Sequence, residues 1–152
     1  NAFQLTQGLE TLSLRLERTT DNALKLAHWL DELDEGEWVN YPGLSTSPYY
    51  ENAKKYFKKG FGGVLSFKLK AGKEFADEFV NNLKLISHLA NVGDAKTLII
   101  HPSSTTHEQL SQEDQIQAGV EPGILRVSVG IEHIEDLKTD IQYALTSVKV
   151  LA

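Results

Sequence analysis

The sequence contains no cysteine among its 152 residues. Disulfide bonds, thiolate metal sites and a cysteine nucleophile are therefore excluded, and the absence is compatible with a cytoplasmic location. Positive charge is also scarce, since 15 lysines and arginines against 21 aspartates and glutamates leave a net charge of −6. We therefore expect neither a nucleic-acid-binding surface nor a polybasic membrane patch.

Several sequence patterns are missing as well. No apolar run approaches the length of a membrane span, and the N-terminus lacks the pattern of a secretory signal peptide. There is no phosphate-binding loop and no G-x-S-x-G nucleophile elbow, and the spacing of His101 and His107 is not that of a metal site. Because the chain begins with Asn1 rather than methionine, we expect a fragment of a longer protein.

The residues that are present predict a single α/β domain over residues 1–152, in an α+β arrangement. Hydrophobic residues make up 41% of the chain, which is enough for a core. Apolar spacing predicts a long helix at 9–35, bent near Thr19–Thr20 and ended by Gly36, and further helices at 73–83, 110–120 and 132–152. A short helix is expected to start at Pro48, and the helix at 110–120 has start signals at Ser111 and a stop at Gly119. Alternating or continuous apolar patterns predict strands at 37–43, 61–72 and 123–131. Short apolar runs on either side of the polar loop at 91–96 supply the fourth strand.

The predicted order alternates five helices with four strands, several of them short and polar on one side. This favours a small, mostly antiparallel sheet with helices on one face, leaving the other face to a partner.

Arg126 is the sharpest chemical feature, because it interrupts the apolar strand GILRVSVGI. A guanidinium is costly to bury unless it is paired, and its planar fork matches a carboxylate. One interpretation places Arg126 on the solvent side of the strand or pairs it with an acidic residue of this chain. The other makes it the binding group for a ligand carboxylate.

Two loops offer further candidates. HPSSTTH (101–107) brings together histidines and hydroxyls that can line a polar pocket or simply join a strand to a helix. Asn91, in the turn of LANVGDAKT (89–97), can bond nearby backbone or present its amide to a ligand.

The ordered motifs HPSSTTH, GILRVSVGIE and EDL resemble the C-terminal signature of the Cys/Met-metabolism family of pyridoxal-phosphate enzymes. The segments GLETLSLRLERTTDNALKLAHWL, WVNYPGL, FGGVLSFKLKAG and LISHLANVGDAKTLIIHP are most similar to its O-acetylhomoserine sulfhydrylase branch. The resemblance implies the C-terminal domain of a fold-type-I enzyme, with residues 1–36 leading in from the missing large domain. It implies a cytoplasmic homotetramer of methionine and cysteine biosynthesis.

The resemblance also implies the division of chemistry. The large domain of such enzymes carries pyridoxal 5′-phosphate and its lysine, so this chain holds no catalytic, cofactor-binding or metal residue of its own. Arg126 falls on the position that clamps the α-carboxylate of the amino-acid substrate, while Asn91, Thr106 and Ser104 fall near it.

The implied activity replaces the acetyl group of O-acetylhomoserine with sulfide or a thiol. A cystathionine γ-synthase or γ-lyase of the same family, and a non-catalytic amino-acid-binding regulatory module, remain as alternatives.

Overall fold

The computed structural model describes the backbone of residues 1–151 and the side chains of residues 1–148. Its elements, in chain order, are helices α1 (Ala2–Glu10) and α2 (Leu12–Asp31), strand β1 (Gly36–Asn40), helix α3 (Tyr50–Tyr56), strand β2 (Val64–Leu69), helix α4 (Gly72–Asn82), strands β3 (Ser87–His88) and β4 (Leu98–Ile100), a 3₁₀ helix (Pro102–Ser104), helix α5 (Gln112–Gln117), strand β5 (Ile124–Ser128) and helix α6 (Ile134–Leu151).

The five described strands form one sheet in the order β1-β2-β5-β4-β3. Every neighbouring pair is antiparallel except β3 and β4, which are parallel. The predicted fold class is therefore confirmed. The sheet has one strand more than expected, because the apolar runs on either side of the Asn91 loop form two separate short strands.

The core lies between one face of the sheet and helices α2, α4 and α6. Strand β2 contributes Leu65, Phe67 and Leu69, which are buried while the residues between them are only partly so, as the alternating pattern predicts. Phe67 meets Phe79 of α4 edge to face, with ring centroids 6.3 Å apart.

The opposite face of the sheet is only partly open. Ile100 and Ile124 on this face are 3% and 9% exposed, because the segment between β4 and β5 crosses it. Pro102 and Val120 of that segment are buried beside them. The expectation of a free face is thus wrong for its centre, where a cavity remains instead of a flat surface.

The predicted long helix differs from the structure in two places. It is interrupted at Thr11 instead of bending at Thr19–Thr20, and it ends at Asp31, so that Gly36 opens β1. Helix α2 continues unbroken through its two threonines, whose side chains pack against glycines. A Cβ added at Gly63 would clash with Cγ2 of Thr19, which explains the glycines that precede β2.

Helix α5 has the ends that its sequence predicts. Ser111 is the N-cap, and its Oγ accepts a hydrogen bond from the backbone N–H of Asp114 at 3.2 Å. Gly119 follows the last turn with a φ of +77°, the left-handed conformation that commonly ends helices.

Asp140 of α6 anchors the segment that follows α4. Its buried carboxylate accepts hydrogen bonds from three consecutive backbone N–H groups, those of Lys84 (2.8 Å), Leu85 (3.0 Å) and Ile86 (2.9 Å). One side chain thereby satisfies a turn that would otherwise bury unpaired donors.

We expect Asp140→Ala to lower the free energy of unfolding by about 3 kcal/mol, because it leaves these three backbone N–H groups without an acceptor. Asp136→Ala, an exposed carboxylate on the same helix, should cost only about 0.5 kcal/mol. Urea unfolding of the two variants measures the difference, and equal losses would contradict the anchoring role.

Candidate functional site

Arg126 lies in the middle of β5, on the sheet face opposite the helical core. Its neighbours Leu125 and Val127 are fully buried in the core, and strand alternation turns Arg126 the other way. Antiparallel pairing places Ser66 of β2 on one side of it and Ile100 of β4 on the other. The strand can therefore be buried while its cation stays out of the apolar core.

The guanidinium of Arg126 has no partner in the described part of the chain. Its Nε is buried and makes no hydrogen bond, and none of the described ion pairs includes it. A buried donor left unpaired costs about 1–3 kcal/mol, a penalty that a bound anion removes. Pairing with an acid of this chain, one of the interpretations left open by the sequence, is thus not what the structure has.

A cavity of about 390 Å³ opens beside the guanidinium, and we call it the Arg126 cavity. Its lining combines one arginine with polar and apolar side chains: Asn40, Pro42, Val64, Leu65, Ser66, Ile100, Pro102, Thr106, His107, Gly119, Val120, Ile124 and Arg126. No lysine and no acidic residue of the described chain lines it. The cavity therefore suits a small anion that also carries apolar atoms.

Thr106 is the predicted site residue that the fold brings into the Arg126 cavity. It follows the 3₁₀ helix and is exposed, and its Oγ1 lies 2.9 Å from Nδ1 of His107. Because a hydroxyl both donates and accepts, Thr106 can contact a ligand while it keeps the bond to His107.

Ser104 lies outside the cavity lining and belongs to a buried network instead. Its Oγ donates to Oδ1 of Asp77 at 2.7 Å and lies 2.9 Å from Nδ1 of the fully buried His101. The same carboxylate oxygen is 2.6 Å from His101 Nδ1, and Ser103 Oγ is 2.8 Å from Nε2. The network ties the loop that carries Thr106 to helix α4.

Asn91 is exposed on the loop between β3 and β4, and it does not line the Arg126 cavity. The loop itself is attached to the chain after Arg126. Ser128 Oγ accepts from the N–H of Gly93 at 3.2 Å, and Ala95 accepts from the N–H of Ile131 at 2.9 Å. The fold thus links Asn91 to the arginine strand without placing the two side chains in one cavity.

Glu132 fixes the far end of that loop. Its carboxylate accepts from the backbone N–H and from Oγ1 of Thr97, both at 2.7 Å, and Thr97 Oγ1 accepts from the N–H of Gly130 at 2.8 Å. Asn22 of α2 donates to the carbonyls of Gly130 and Glu132. The GIE part of the sequence motif is therefore a structural clamp in this fold.

Sequence reasoning missed two polar residues of the cavity, Asn40 and Ser66, whereas His107 belongs to the HPSSTTH loop that it offered as a pocket lining. The alternation of β2 did place Ser66 on the polar side of its strand. Nothing in that pattern, however, shows that β2 pairs with β5, so the contact with Arg126 could not be inferred.

Asp77 is the titratable group in the supporting network whose pKa is perturbed. Partial burial by itself raises the pKa of this carboxyl. The hydrogen bonds from Ser104 and His101, together with the charges of His101 and Lys73, outweigh that effect and hold its pKa below the ordinary value.

Two other kinds of site were sought in the described residues. They contain no group of three or more histidine, cysteine or acidic side chains that could hold a metal ion. None of the described helices is long and apolar enough to cross a membrane.

Comparison with known proteins matches residues 1–146 to the family described as Cys/Met metabolism PLP-dependent enzymes. The chain is 58% identical over 144 residues to O-acetyl-L-homoserine sulfhydrylase 1 of Thermus thermophilus, covering 95% of this chain and 34% of that protein. It is 52% identical over 158 residues to the homocysteine/cysteine synthase of Saccharomyces cerevisiae, covering 97% of this chain and 35% of that protein.

Solved structures give the same result. A Campylobacter jejuni structure described as an O-acetylhomoserine (thiol)-lyase with N′-pyridoxyl-lysine-5′-monophosphate superposes with a TM-score of 0.89 at 44% identity, over 96% of this chain and 35% of that one. The O-acetylhomoserine sulfhydrylase structure from Wolinella succinogenes superposes with a TM-score of 0.82 at 41% sequence identity. The match covers 95% of this chain and 38% of that one. The chain spans about a third of the length of the curated relatives it matches.

The lowered pKa of Asp77 predicts an acid-sensitive contribution to stability. A carboxyl with a lower pKa in the folded state contributes stability above its unfolded pKa, near 3.8, and loses it as the pH falls through the folded value. We therefore expect Asp77→Asn to lose less stability than the unmodified chain between about pH 6 and about pH 2. Melting temperatures of the two proteins, measured across that pH range, give the difference in stability.

Glu78→Gln is the matched control, because Glu78 is exposed on the same helix and its side chain makes no described hydrogen bond. It should follow the pH profile of the unmodified chain. If Asp77→Asn and Glu78→Gln had the same pH profile of stability, the charge of Asp77 would not contribute to the stability of the fold.

Proposed function

The chain belongs to the Cys/Met metabolism family of pyridoxal-phosphate-dependent enzymes, and on that premise we propose that it is the C-terminal domain of a longer transferase. In this proposal the whole enzyme converts O-acetylhomoserine and sulfide to homocysteine and acetate, and a thiol in place of sulfide gives the thioether, such as methionine. The identity to sulfhydrylases over nearly the whole chain supports this reaction over others in the family.

The unpaired guanidinium of Arg126 in its cavity is the observation that carries the proposal. We assign it to the α-carboxylate of the substrate, bound through two parallel hydrogen bonds. Such a fork fixes both the position and the orientation of the amino-acid end, which aligns the reacting bonds. Thr106 lies at the same cavity, and we assign it a contact with the bound amino acid. Ser104 supports the loop of Thr106.

Asn91 is assigned to the same substrate through its loop, which is attached to the end of β5. In this structure its side chain is exposed and makes no described hydrogen bond. Its contact with substrate therefore requires the surface of the missing domain, which would enclose the loop.

The residues of this chain fit the substrate and not the attachment of the cofactor. No lysine of the described residues lines the Arg126 cavity, and we assign the lysine and the phosphate contacts of pyridoxal phosphate to the large domain. When bound, pyridoxal phosphate supplies an electron sink for bonds at the substrate's α-carbon. The share of this chain is to bind the carboxylate, to orient the amino acid and to wall the site with apolar side chains such as Ile100 and Val64.

The large domain of the same polypeptide is also the partner we assign to helix α1. None of its residues is buried, and Phe3, Leu5 and Leu9 are 73%, 69% and 65% exposed. Such an apolar helix face is more than a surface normally leaves in water. By family resemblance we further propose a homotetramer in the cytoplasm.

Two alternatives remain distinguishable by experiment. A cystathionine γ-synthase or γ-lyase would share the Arg126 site, because binding of the α-carboxylate does not select the reaction. A stand-alone amino-acid-binding module would use the same arginine without chemistry, although the element order here does not follow the βαββαβ order of ferredoxin-like sensors.

The first test is the intact mass and the visible absorbance of the purified natural protein. A mass near three times 16.9 kDa, with the absorbance of lysine-bound pyridoxal phosphate, is the expected result. Turnover of O-acetylhomoserine with sulfide, and not with cysteine, would then separate the sulfhydrylase from the γ-synthase. A cofactor-free protein of 16.9 kDa that binds amino acids would replace the enzyme with the regulatory module.

In the full-length enzyme we expect Arg126→Ala to raise KM for O-acetylhomoserine by about 100-fold, because two charged hydrogen bonds are lost. The KM of Arg126→Lys should lie between those of the unmodified enzyme and Arg126→Ala, since lysine keeps the charge but lacks the planar guanidinium fork. Arg18→Ala, an exposed arginine on α2 with no described ion pair, is the control and should leave KM unchanged. An unchanged KM in Arg126→Ala, with the fold intact, would refute the assignment.

A further inference from the structure

Ser66 is the nearest polar neighbour of Arg126 across the sheet. The two residues are directly paired between antiparallel β2 and β5, so their side chains leave the same face with Cβ atoms about 4.5–5.5 Å apart. Both are half-buried and both line the Arg126 cavity. Both side chains therefore border the space in which the guanidinium can hold a ligand.

The hydroxyl of Ser66 is also unused. It makes no hydrogen bond to any described residue, whereas most buried or half-buried serines near this site do, such as Ser103, Ser104 and Ser128. A serine on the polar side of a strand needs no ligand by itself. One that is paired with an unpartnered arginine and lines the same cavity is a donor placed beside an anion site.

From this juxtaposition we propose that Ser66 is a second binding residue for the carboxylate held by Arg126. The inference rests on the proposed function of Arg126. A carboxylate accepts about four hydrogen bonds, and the guanidinium fork uses two of them. Ser66 donates to a lone pair that the fork leaves free, and this bond fixes the rotation of the carboxylate about the arginine plane.

The apolar neighbours of Arg126 favour an orientation of the bound carboxylate toward Ser66. The neighbours of Arg126 on the same face, Ile100 of β4 and Ile124 of β5, are apolar and nearly fully buried. A carboxylate that leaned toward them would lose water without gaining a hydrogen bond. The carboxylate therefore tilts toward β2, and the carbon chain of the ligand lies against the isoleucines.

Steady-state kinetics of the full-length holoenzyme test the proposal. We expect Ser66→Ala to raise KM for O-acetylhomoserine by about tenfold, the usual effect of one hydrogen bond to a charged group, with a smaller change in kcat. Ser66→Thr keeps the hydroxyl on a residue that strands accept, and it should restore most of the affinity. The melting temperature should stay unchanged in both variants.

Ser87→Ala is the matched control. Ser87 is a half-buried serine on β3, an edge strand of the same sheet that does not pair with β2 or β5. Its side chain makes no described hydrogen bond. Its KM should equal that of the unmodified enzyme. A KM unchanged in Ser66→Ala, or raised equally in Ser87→Ala, would overturn the proposal.

The double variant separates this inference from the assignment of Arg126. If both residues hold one carboxylate, Ser66→Ala should weaken binding much less in the Arg126→Ala background than alone. Additive effects would mean that Ser66 acts elsewhere, and would overturn the inference while leaving the arginine assignment intact. If Arg126→Ala had no effect at all, the proposed function would fail first.

Discussion

The pairing of β2 with β5 is the constraint on which the rest of the molecule depends. Its register sets Leu65 against Val127 and Phe67 against Leu125 on the core face, and Ser66 against Arg126 on the other. Because side chains alternate with a period of two, a slip of one residue would drive the guanidinium into the core and the leucines into the cavity. The apolar core therefore enforces the position of the polar site.

Charged and polar contacts hold two loops near β5, whereas the guanidinium of Arg126 is unpaired among the described residues. Asp77 and His101 tie the 101–107 loop to helix α4, and Glu132 ties the end of the Asn91 loop to β5 through Thr97. These groups satisfy one another. Among the described residues, the buried Nε of Arg126 has no partner, and it lies beside the supported 101–107 loop in the cavity lining, which is the arrangement expected of a preorganised binding group.

The proposed enzyme divides its labour between two domains. In the proposed enzyme this domain would recognise the part that all amino-acid substrates share, the α-carboxylate, and the large domain would supply the cofactor. Such a division would explain why the described residues form a binding cavity while the sequence has neither a cysteine nor a G-x-S-x-G nucleophile elbow. It also explains why substrate binding by this domain fits several reactions of one family.

The order of motifs and the local patterns determined much of this protein from sequence alone. They predicted the α/β class, the alternation of β2, the cap at Ser111, the stop at Gly119 and the place of Arg126 within a buried strand, because each depends on residues close together in the chain. Only the tertiary structure decided the packing of Thr19 of α2 against glycine, the supporting position of Ser104, the exposure of Asn91 and the place of Ser66 beside Arg126. These depend on contacts between segments tens of residues apart, such as glycines under a helix or two strands in register, which local periodicity does not encode.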